Sequence, residues 1–221
     1  MAGWKEWLAR PYAWSVHQRN SLWKMRAPEV QEEWLDKLCR TAEDTQFGKD
    51  HKLKYVRSPA DFAEAVPSRD YEQLRSYVDL MVDGASDVLW PGRPLYYAKT
   101  SGTTSGAKYI PITNDSMPFH IKAAKEALLE YAWHSQNFRF IGGKMIFLQG
   151  SPEMTETIGV KTGRLSGIVA HYVPAYLQSN RLPSWQTNCI DDWEKKLSMI
   201  VQETRQEDMR LISGIPPWVQ M

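Results

Sequence analysis

Nine consecutive positions, Thr100-Ser101-Gly102-Thr103-Thr104-Ser105-Gly106-Ala107-Lys108, concentrate hydroxyls, two glycines and one ammonium between two short apolar runs. Glycine lets a backbone approach an anion closely and adopt conformations closed to other residues. Successive backbone N–H groups, Ser and Thr hydroxyls and a single cation together suit a polyphosphate. The pattern is not a Walker loop: three residues separate Gly102 from Gly106, Ala107 stands before the lysine, and Tyr109 follows it. Nor is there a G-x-G-x-x-G dinucleotide fingerprint. Tyr109-Ile110-Pro111-Ile112 reads as a short strand. The phosphates are therefore expected in a turn between strands, not at a helix N-terminus. A polar hairpin turn without a ligand is the alternative, since Ser, Thr and Gly are ordinary turn residues.

Elsewhere the chemistry-bearing residues are sparser. His171, in Ile168-Val169-Ala170-His171-Tyr172-Val173-Pro174, is a candidate for a substrate pocket, with a hydrogen-bonded core imidazole as the structural reading. His120 reads as surface or packing, and Arg164 as a solvated or ion-paired arginine. Asp191-Asp192 reads as a helix cap and not a metal pair. The tryptophans at 4, 7, 14, 23 and 34 read as packing. The two cysteines, Cys39 and Cys189, have no C-x-x-C or Cys/His ligand spacing, so no metal site is expected. Cys39 reads as a buried thiol on an apolar helical face.

The elements that must position these groups follow from periodicity. Pro11 is expected to separate a turn at 4–9 from a helix at 12–25. A helix over 29–47 carries Val30, Trp34, Leu38 and Ala42 on one face and ends at Gly48. Ser58 and Asp70 cap two further helices, the second with Leu74, Tyr77, Val78 and Met81 inward. Residues 95–98 form a strand feeding the loop. Thr113 or Asn114 caps a long helix to Trp133 with Ile121, Ala124, Leu128 and Tyr131 inward. Strands follow at 144–148 and 209–213, and a helix opens at Asp191 or Asp192. Residues 151–163 read as an irregular surface loop, and 164–180 are ambiguous. Alternating helices and strands argue an α/β fold.

The 221 residues are 43% hydrophobic, enough for a core, and 27 basic against 26 acidic residues leave a net charge of +1. That balance gives no long-range attraction to nucleic acid or anionic lipid. No apolar run is long enough for a membrane span, and Met1-Ala2-Gly3-Trp4-Lys5-Glu6-Trp7 lacks a signal-peptide core. A cytoplasmic protein with unpaired thiols is expected. Pro216-Pro217-Trp218 reads as the first turn of a helix that the chain does not continue, so a truncated chain is expected.

The order Thr-Ser-Gly-Thr-Thr with a lysine four residues on resembles the phosphate loop of the adenylate-forming superfamily of acyl-CoA synthetases and luciferases. Ser105 before Gly106 departs from the commoner Gly directly after Thr-Thr. More specifically, the chain resembles the N-terminal part of the Gretchen Hagen family (auxin-responsive promoter) of acyl-acid amido synthetases in bacterial form. The likeness runs through Thr45-Gln46-Phe47-Gly48-Lys49-Asp50-His51, Val66-Pro67-Ser68-Arg69-Asp70-Tyr71-Glu72, Val88-Leu89-Trp90-Pro91-Gly92, the loop with Lys108-Tyr109-Ile110-Pro111, and Ile212-Ser213-Gly214-Ile215-Pro216-Pro217-Trp218.

The resemblance implies an incomplete N-terminal adenylation domain: a mainly helical region over 1–92, then over 93–221 the first part of an ATP-binding α/β region with a mixed sheet and flanking helices. It implies ATP-dependent adenylation of a carboxylic acid, with transfer of the acyl group to an amino acid amine. Transfer to CoA or another thiol, or a non-catalytic interaction module, are the alternatives. Thr100, Ser101, Gly102, Thr103, Thr104, Ser105, Gly106 and Lys108 would meet the phosphates, with Lys108 neutralising the leaving pyrophosphate. Mg²⁺ would bridge the phosphates through a carboxylate outside this chain. Neither nucleic acid nor membrane is an expected partner. A truncated fold is expected to self-associate through exposed core surface and to lack activity by itself.

Overall fold

In this computed structural model the described residues are 4–100, 107–214 and 216–220. Ser101, Gly102, Thr103, Thr104, Ser105 and Gly106 lie outside the described residues. The chain forms α1 (Trp4–Met25), α2 (Ala27–Ala42), α3 (Gln46–Asp50), α4 (Pro59–Ala65), α5 (Tyr71–Val82), β1 (Tyr96–Lys99), β2 (Tyr109–Ile112), α6 (Met117–Ser135) and β3 (Lys144–Phe147). It continues through β4 (Thr155–Thr157), β5 (Val160–Gly163), α7 (Leu165–Ala170), α8 (Ala175–Gln178), β6 (Arg181–Leu182), α9 (Trp185–Asn188), α10 (Trp193–Thr204), β7 (Met209–Ser213) and α11 (Pro216–Gln220). Single 3₁₀ turns occur at Leu53–Tyr55 and Arg139–Gly142. One sheet has the order β2-β1-β5-β4, the other β6-β3-β7. The expected α/β class with a mixed sheet is what these elements make. They divide into two compact units interleaved in sequence: 20–117 with 155–162, and 1–19 with 118–154 and 163–221.

In the first of these, α2 buries Ala42 and Cys39 as expected, but Leu35, and not Trp34 or Leu38, shares their face. Cys39 and Ala42 pack on Leu53 and Val56, with Leu35 beside them. Trp34 and Leu38 stay 38% and 46% exposed. Two overlapping helical series were available, and the one with small side chains permits close approach of residues 45–56. Helix α2 stops at Ala42, and Gly48 lies inside α3 and does not end the preceding helix. A Cβ on Gly48 would fall 1.9 Å from the Ala42 carbonyl oxygen, so close approach explains this glycine. Thr45 makes the turn, accepting the Gly48 N–H and donating its hydroxyl to Ala42 O. Ser58 and Asp70 cap α4 and α5 as expected, Asp70 within a full capping box with Gln73. Tyr97, fully buried beside Met81, Val88 and Val160, donates its hydroxyl to Met81 O.

The stretch 151–163, expected as an irregular loop, contains the antiparallel hairpin β4–β5, with Thr155 opposite Thr162 and Thr157 opposite Val160. Ile158 and Gly159 turn it with φ of 43° and 75°, the pair of positive angles that a two-residue hairpin turn demands. Its polar composition hides the strand; Val160 and Thr162 alone face inward.

In the second unit α1 runs unbroken through Pro11. The proline is exposed, and burial of Ala13 and Val16 against Leu129, Ala132, Phe138 and Phe140 offsets the one backbone bond it removes. Four tryptophans of α1 and α2 are not core residues: Trp7, Trp14, Trp23 and Trp34 are all exposed, Trp7 at 72%. Strand β3 is central and parallel to both neighbours, with Met145 beside Arg181 of β6 and Leu211 of β7. The ambiguous stretch 164–180 resolves into α7 and α8. Asp192 caps α10 by accepting the Lys195 N–H.

Candidate functional site

The hydroxyl-rich run is the connection of an antiparallel hairpin. Strand β1 pairs with β2 in the register Ala98 to Ile110 and Lys99 to Tyr109. Beyond the strands, the Thr100 N–H donates to the Lys108 carbonyl at 3.0 Å. Of the predicted phosphate contacts, Thr100 and Lys108 therefore face each other at the base of the hairpin. Ser101, Gly102, Thr103, Thr104, Ser105 and Gly106 lie outside the described residues. The Lys108 ammonium sits 5.1 Å from the centre of the Tyr71 ring, within reach of cation–π attraction. The Tyr71 hydroxyl accepts the Tyr109 N–H at 2.9 Å. Tyr71 opens α5 directly after its cap, so the Asp70–Gln73 box fixes the residue that braces the hairpin. Tyr71 stood in a motif carrying the resemblance, yet its spacing gave no sign of this role, because it lies 37 positions before Lys108 with a strand between them.

The second unit holds a cavity of about 560 Å³, within the usual range for small-molecule sites. Leu8 and Tyr12 of α1, Ile121, Ala124 and Leu128 of α6, Met145 and Phe147 of β3, and Val169, Tyr172 and Val173 line it. Ile121, Ala124 and Leu128 are three of the four residues expected to face inward from α6; they line this cavity, as does Leu129, which with Ala132 also enters the packed core, while Tyr131 is exposed. The charged lining groups are Lys5, Lys125 and Arg181, with no carboxylate among the described lining residues. Lys5 donates to Asn180 Oδ1 at 3.0 Å, and Lys125 lies 5.4 Å from the Tyr12 ring centre. The Arg181 guanidinium donates to Ala170 O at 3.3 Å and lies 5.8 Å from the Phe147 ring centre. Burial pushes its pKa down, a sign that the charge is poorly solvated there. Among the described residues no carboxylate pairs with Arg181.

His171 follows α7, and its Nε2 meets Pro152 O at 2.8 Å while the ring stands edge-on to Trp185 at 4.8 Å. Its neighbours Ala170 and Tyr172 line the cavity; His171 is not among the described lining residues. Arg164 is exposed in the position before α7, and His120 is half-buried on α6. Two groupings escaped sequence reasoning. Arg181 carried no signal beyond a cation just after an ambiguous stretch. His17, Glu130 and His134 come together from α1 and α6; the i,i+4 pair Glu130 and His134 was a visible signal, but its third member is 113 residues from Glu130.

Residues 18–210 match the GH3 family N-terminal domain. The jasmonoyl–L-amino acid synthetase JAR6 of Nicotiana attenuata is 25% identical over 140 residues, which is 62% of this chain and 24% of that protein. Among solved structures, the AtGH3.15 acyl acid amido synthetase in complex with 2,4-DB superposes with a TM-score of 0.63 at 20% identity, covering 79% of this chain and 31% of the other. A second structure of GH3.15 acyl acid amido synthetase gives 0.61 at 15% identity, covering 77% and 29%. The chain thus spans between a quarter and a third of the length of these relatives, and it shares their fold. With a match running through nearly the whole sequence, from the middle of α1 into β7, this chain belongs to the GH3 family as its N-terminal domain.

Proposed function

We propose that this chain is the acid-activating portion of an ATP-dependent ligase that joins a carboxylic acid to an amino acid. The observation that carries the reading is the cavity of the second unit: apolar walls whose charged groups are all cationic. That lining suits an apolar body with an anionic head, and the Arg181 fork is matched to a carboxylate.

A carboxylate is a poor acyl donor because oxide or hydroxide would have to leave. Adenylation removes that obstacle. A carboxylate oxygen attacks the α-phosphorus of ATP, the bond to the β-phosphate breaks, and pyrophosphate leaves with its electron pair. The amino acid amine then attacks the acyl carbon, AMP departs and the amine gives up a proton, leaving an amide. In this reading Thr100, Ser101, Gly102, Thr103, Thr104, Ser105 and Gly106 hold the β- and γ-phosphates, and Lys108 offsets the charge on the leaving pyrophosphate. Thr100 and Lys108 at one hairpin base fit that duty, since they bring a hydroxyl and an ammonium to the two ends of one short loop. Mg²⁺ supplies further charge neutralisation when bound to the nucleotide. His171 remains a candidate beside the wall formed by Ala170 and Tyr172.

A cytoplasmic setting belongs to the same reading: Cys39 and Cys189 are both free thiols, and no described helix is long and apolar enough to cross a membrane. Self-association belongs to it too, through the edge strand β7, where Ile212 is exposed.

The test is twofold. Calorimetric titration of the chain with aliphatic and aromatic carboxylic acids should show binding that Arg181→Ala weakens at least about tenfold, the scale of one charge-assisted contact. ATP–pyrophosphate exchange by a longer ligase that contains this domain should depend on the same acids. No binding and no exchange with any acid overturns the reading. Exchange followed by a thioester with CoA, and no amide, moves the second half-reaction to a thiol acceptor.

A further inference from the structure

His17 of α1 and Glu130 and His134 of α6 each turn one ligand-type atom toward a common point, all three within 4.8 Å of one another. His17 Nδ1 lies 3.0 Å from Glu130 Oε2, and His134 Nε2 lies 3.4 Å from the same oxygen. Two donors on one zinc ion, each bonded at roughly 2.0–2.2 Å in a tetrahedron, stand roughly 3 to 3.5 Å apart. The two separations from Glu130 already have that value, and the two imidazole nitrogens lie within 4.8 Å of each other. The His17 and His134 rings meet at 5.0 Å and nearly perpendicular, so their nitrogens converge without the rings colliding.

The local structure explains why these three stay together. Glu130 and His134 are one turn apart on α6 and share a face. His17 is set by Val16, its buried neighbour on α1, and by stacking on Trp133 at 5.7 Å and 28°. The arrangement is therefore held by core packing on one side and leaves His134, 64% exposed, on the other. Solvent can supply a fourth ligand there. Two imidazoles and one carboxylate suit borderline divalent ions of the zinc, cobalt and nickel kind, and poorly suit Mg²⁺ or Ca²⁺, which take oxygen ligands.

We propose that His17, Glu130 and His134 form a divalent transition-metal site that ties α1 to α6. The site shares no residue with the β1–β2 hairpin and needs no nucleotide. It replaces the hydrogen bond between His17 and Glu130, and the 3.4 Å contact of Glu130 with His134, with metal–ligand bonds, and it fixes the crossing of two helices that also line the apolar cavity.

The test is titration of the metal-stripped chain with Co²⁺, followed by displacement with Zn²⁺. The expected result is one equivalent of Co²⁺ giving visible d–d absorption, lost on adding one equivalent of Zn²⁺. At free Zn²⁺ 100-fold above its Kd the ratio of folded to unfolded chain should rise about 100-fold. His134→Ala is on the surface and keeps the core intact; it should weaken Zn²⁺ binding at least about 10-fold, and Glu130→Gln likewise, by analogy with the 10–100-fold cost of disturbing a metal site. Absence of saturable Co²⁺ absorption overturns the proposal. So does full absorption retained in His134→Ala and in Glu130→Gln, which would put the ion elsewhere. Should His17→Ala fail to fold, the two α6 variants still decide the question.

Discussion

Tyr71 and Lys108 form the brace of the β1–β2 hairpin: the ammonium lies 5.1 Å from the phenol ring centre, and the phenol oxygen takes the N–H of Tyr109, the next residue along. The relationship links a helix start to a loop base. Asp70 caps α5, Tyr71 is its first residue, and the ring so placed carries the one cation of the loop region. Removing the two halves of the brace separately gives different outcomes. Tyr71→Phe keeps the ring and loses the bond to Tyr109, so stability should fall by about 1 kcal/mol with nucleotide affinity nearly unchanged. Tyr71→Leu loses both, and nucleotide affinity should fall by roughly threefold to thirtyfold, the range of a cation–π contact of about 0.5–2 kcal/mol. Urea unfolding and ATP titration read the two effects; equal ATP affinity in Tyr71→Leu and wild type would refute the brace.

Gly48 tests the packing of the other end of that unit. Its own φ is not the issue. A Cβ would meet Ala42 O at 1.9 Å and Glu43 O at 2.8 Å, both backbone atoms that cannot swing aside. Gly48→Ala must push α3 away from the end of α2, opening the Cys39–Ala42–Leu53–Val56 cluster. The expected loss is more than about 3 kcal/mol, in the severe tail for single substitutions. Gly92 offers the contrast: φ is +77° with nothing within 4 Å of an added Cβ, so Gly92→Ala should cost only about 1 kcal/mol of backbone strain. Chemical denaturation of both variants checks the order; a milder effect at Gly48 than at Gly92 contradicts the packing account.

Much of this architecture was legible wherever a local rule acts alone. Ser58, Asp70 and Asp192 cap helices because a short polar side chain before an amphipathic run satisfies orphan N–H groups whatever the tertiary fold. Strands β3 and β7 were legible as short apolar runs. Legibility failed where packing chose between local options. On α2 the burial of Cys39 and Ala42 was legible, but packing on Leu53 and Val56 brought in Leu35 and left Trp34 and Leu38 exposed. At Pro11 the local cost of a proline lost to burial of Ala13 and Val16. Gly48 looked like a helix stop because a tight approach and a left-handed turn demand the same residue. On the site side, the hairpin setting of Thr100 and Lys108 was readable from the flanking strands. Tyr71, Arg181 and the approach of His17 to the Glu130–His134 pair depend on long-range placement, which one sequence does not encode in any spacing.

Glu203 supplies a pH-dependent stability. Burial alone raises its carboxyl, and hydrogen bonds from the Thr187 hydroxyl and from the Ser184 N–H and hydroxyl outweigh that, so the net direction is down from 4.5. A folded-state value below the unfolded one means the contribution is complete above about pH 5 and is lost as the pH falls through the folded value. Glu203→Gln should therefore be less stable than wild type near neutrality by about 1–2 kcal/mol, the scale of bonds to a charged acceptor. The gap should close as the pH is lowered below about 4. Urea midpoints for both proteins from pH 3 to 8 provide the measurement, and a gap independent of pH would rule out the ionised carboxylate as its source.

Lys108 separates the catalytic reading from a structural one. Its side chain is half-buried and rests on the face of Tyr71, with the main-chain bond to Thr100 untouched by substitution. A structural lysine of this kind contributes little, so Lys108→Ala should shift stability by no more than about 0.5–1 kcal/mol. If the ammonium instead offsets charge on departing pyrophosphate, its removal falls on the transition state. ATP–pyrophosphate exchange by the longer ligase should then drop by roughly 10²–10³, as for loss of one preorganised donor, with acid affinity in the cavity unchanged. Lys108→Arg keeps the charge but exchanges a compact ammonium for a wider fork, so it should recover part of the rate and all of the stability. Exchange that survives Lys108→Ala at the wild-type rate would leave the hairpin a polar turn and return the search for phosphate ligands to the rest of the ligase.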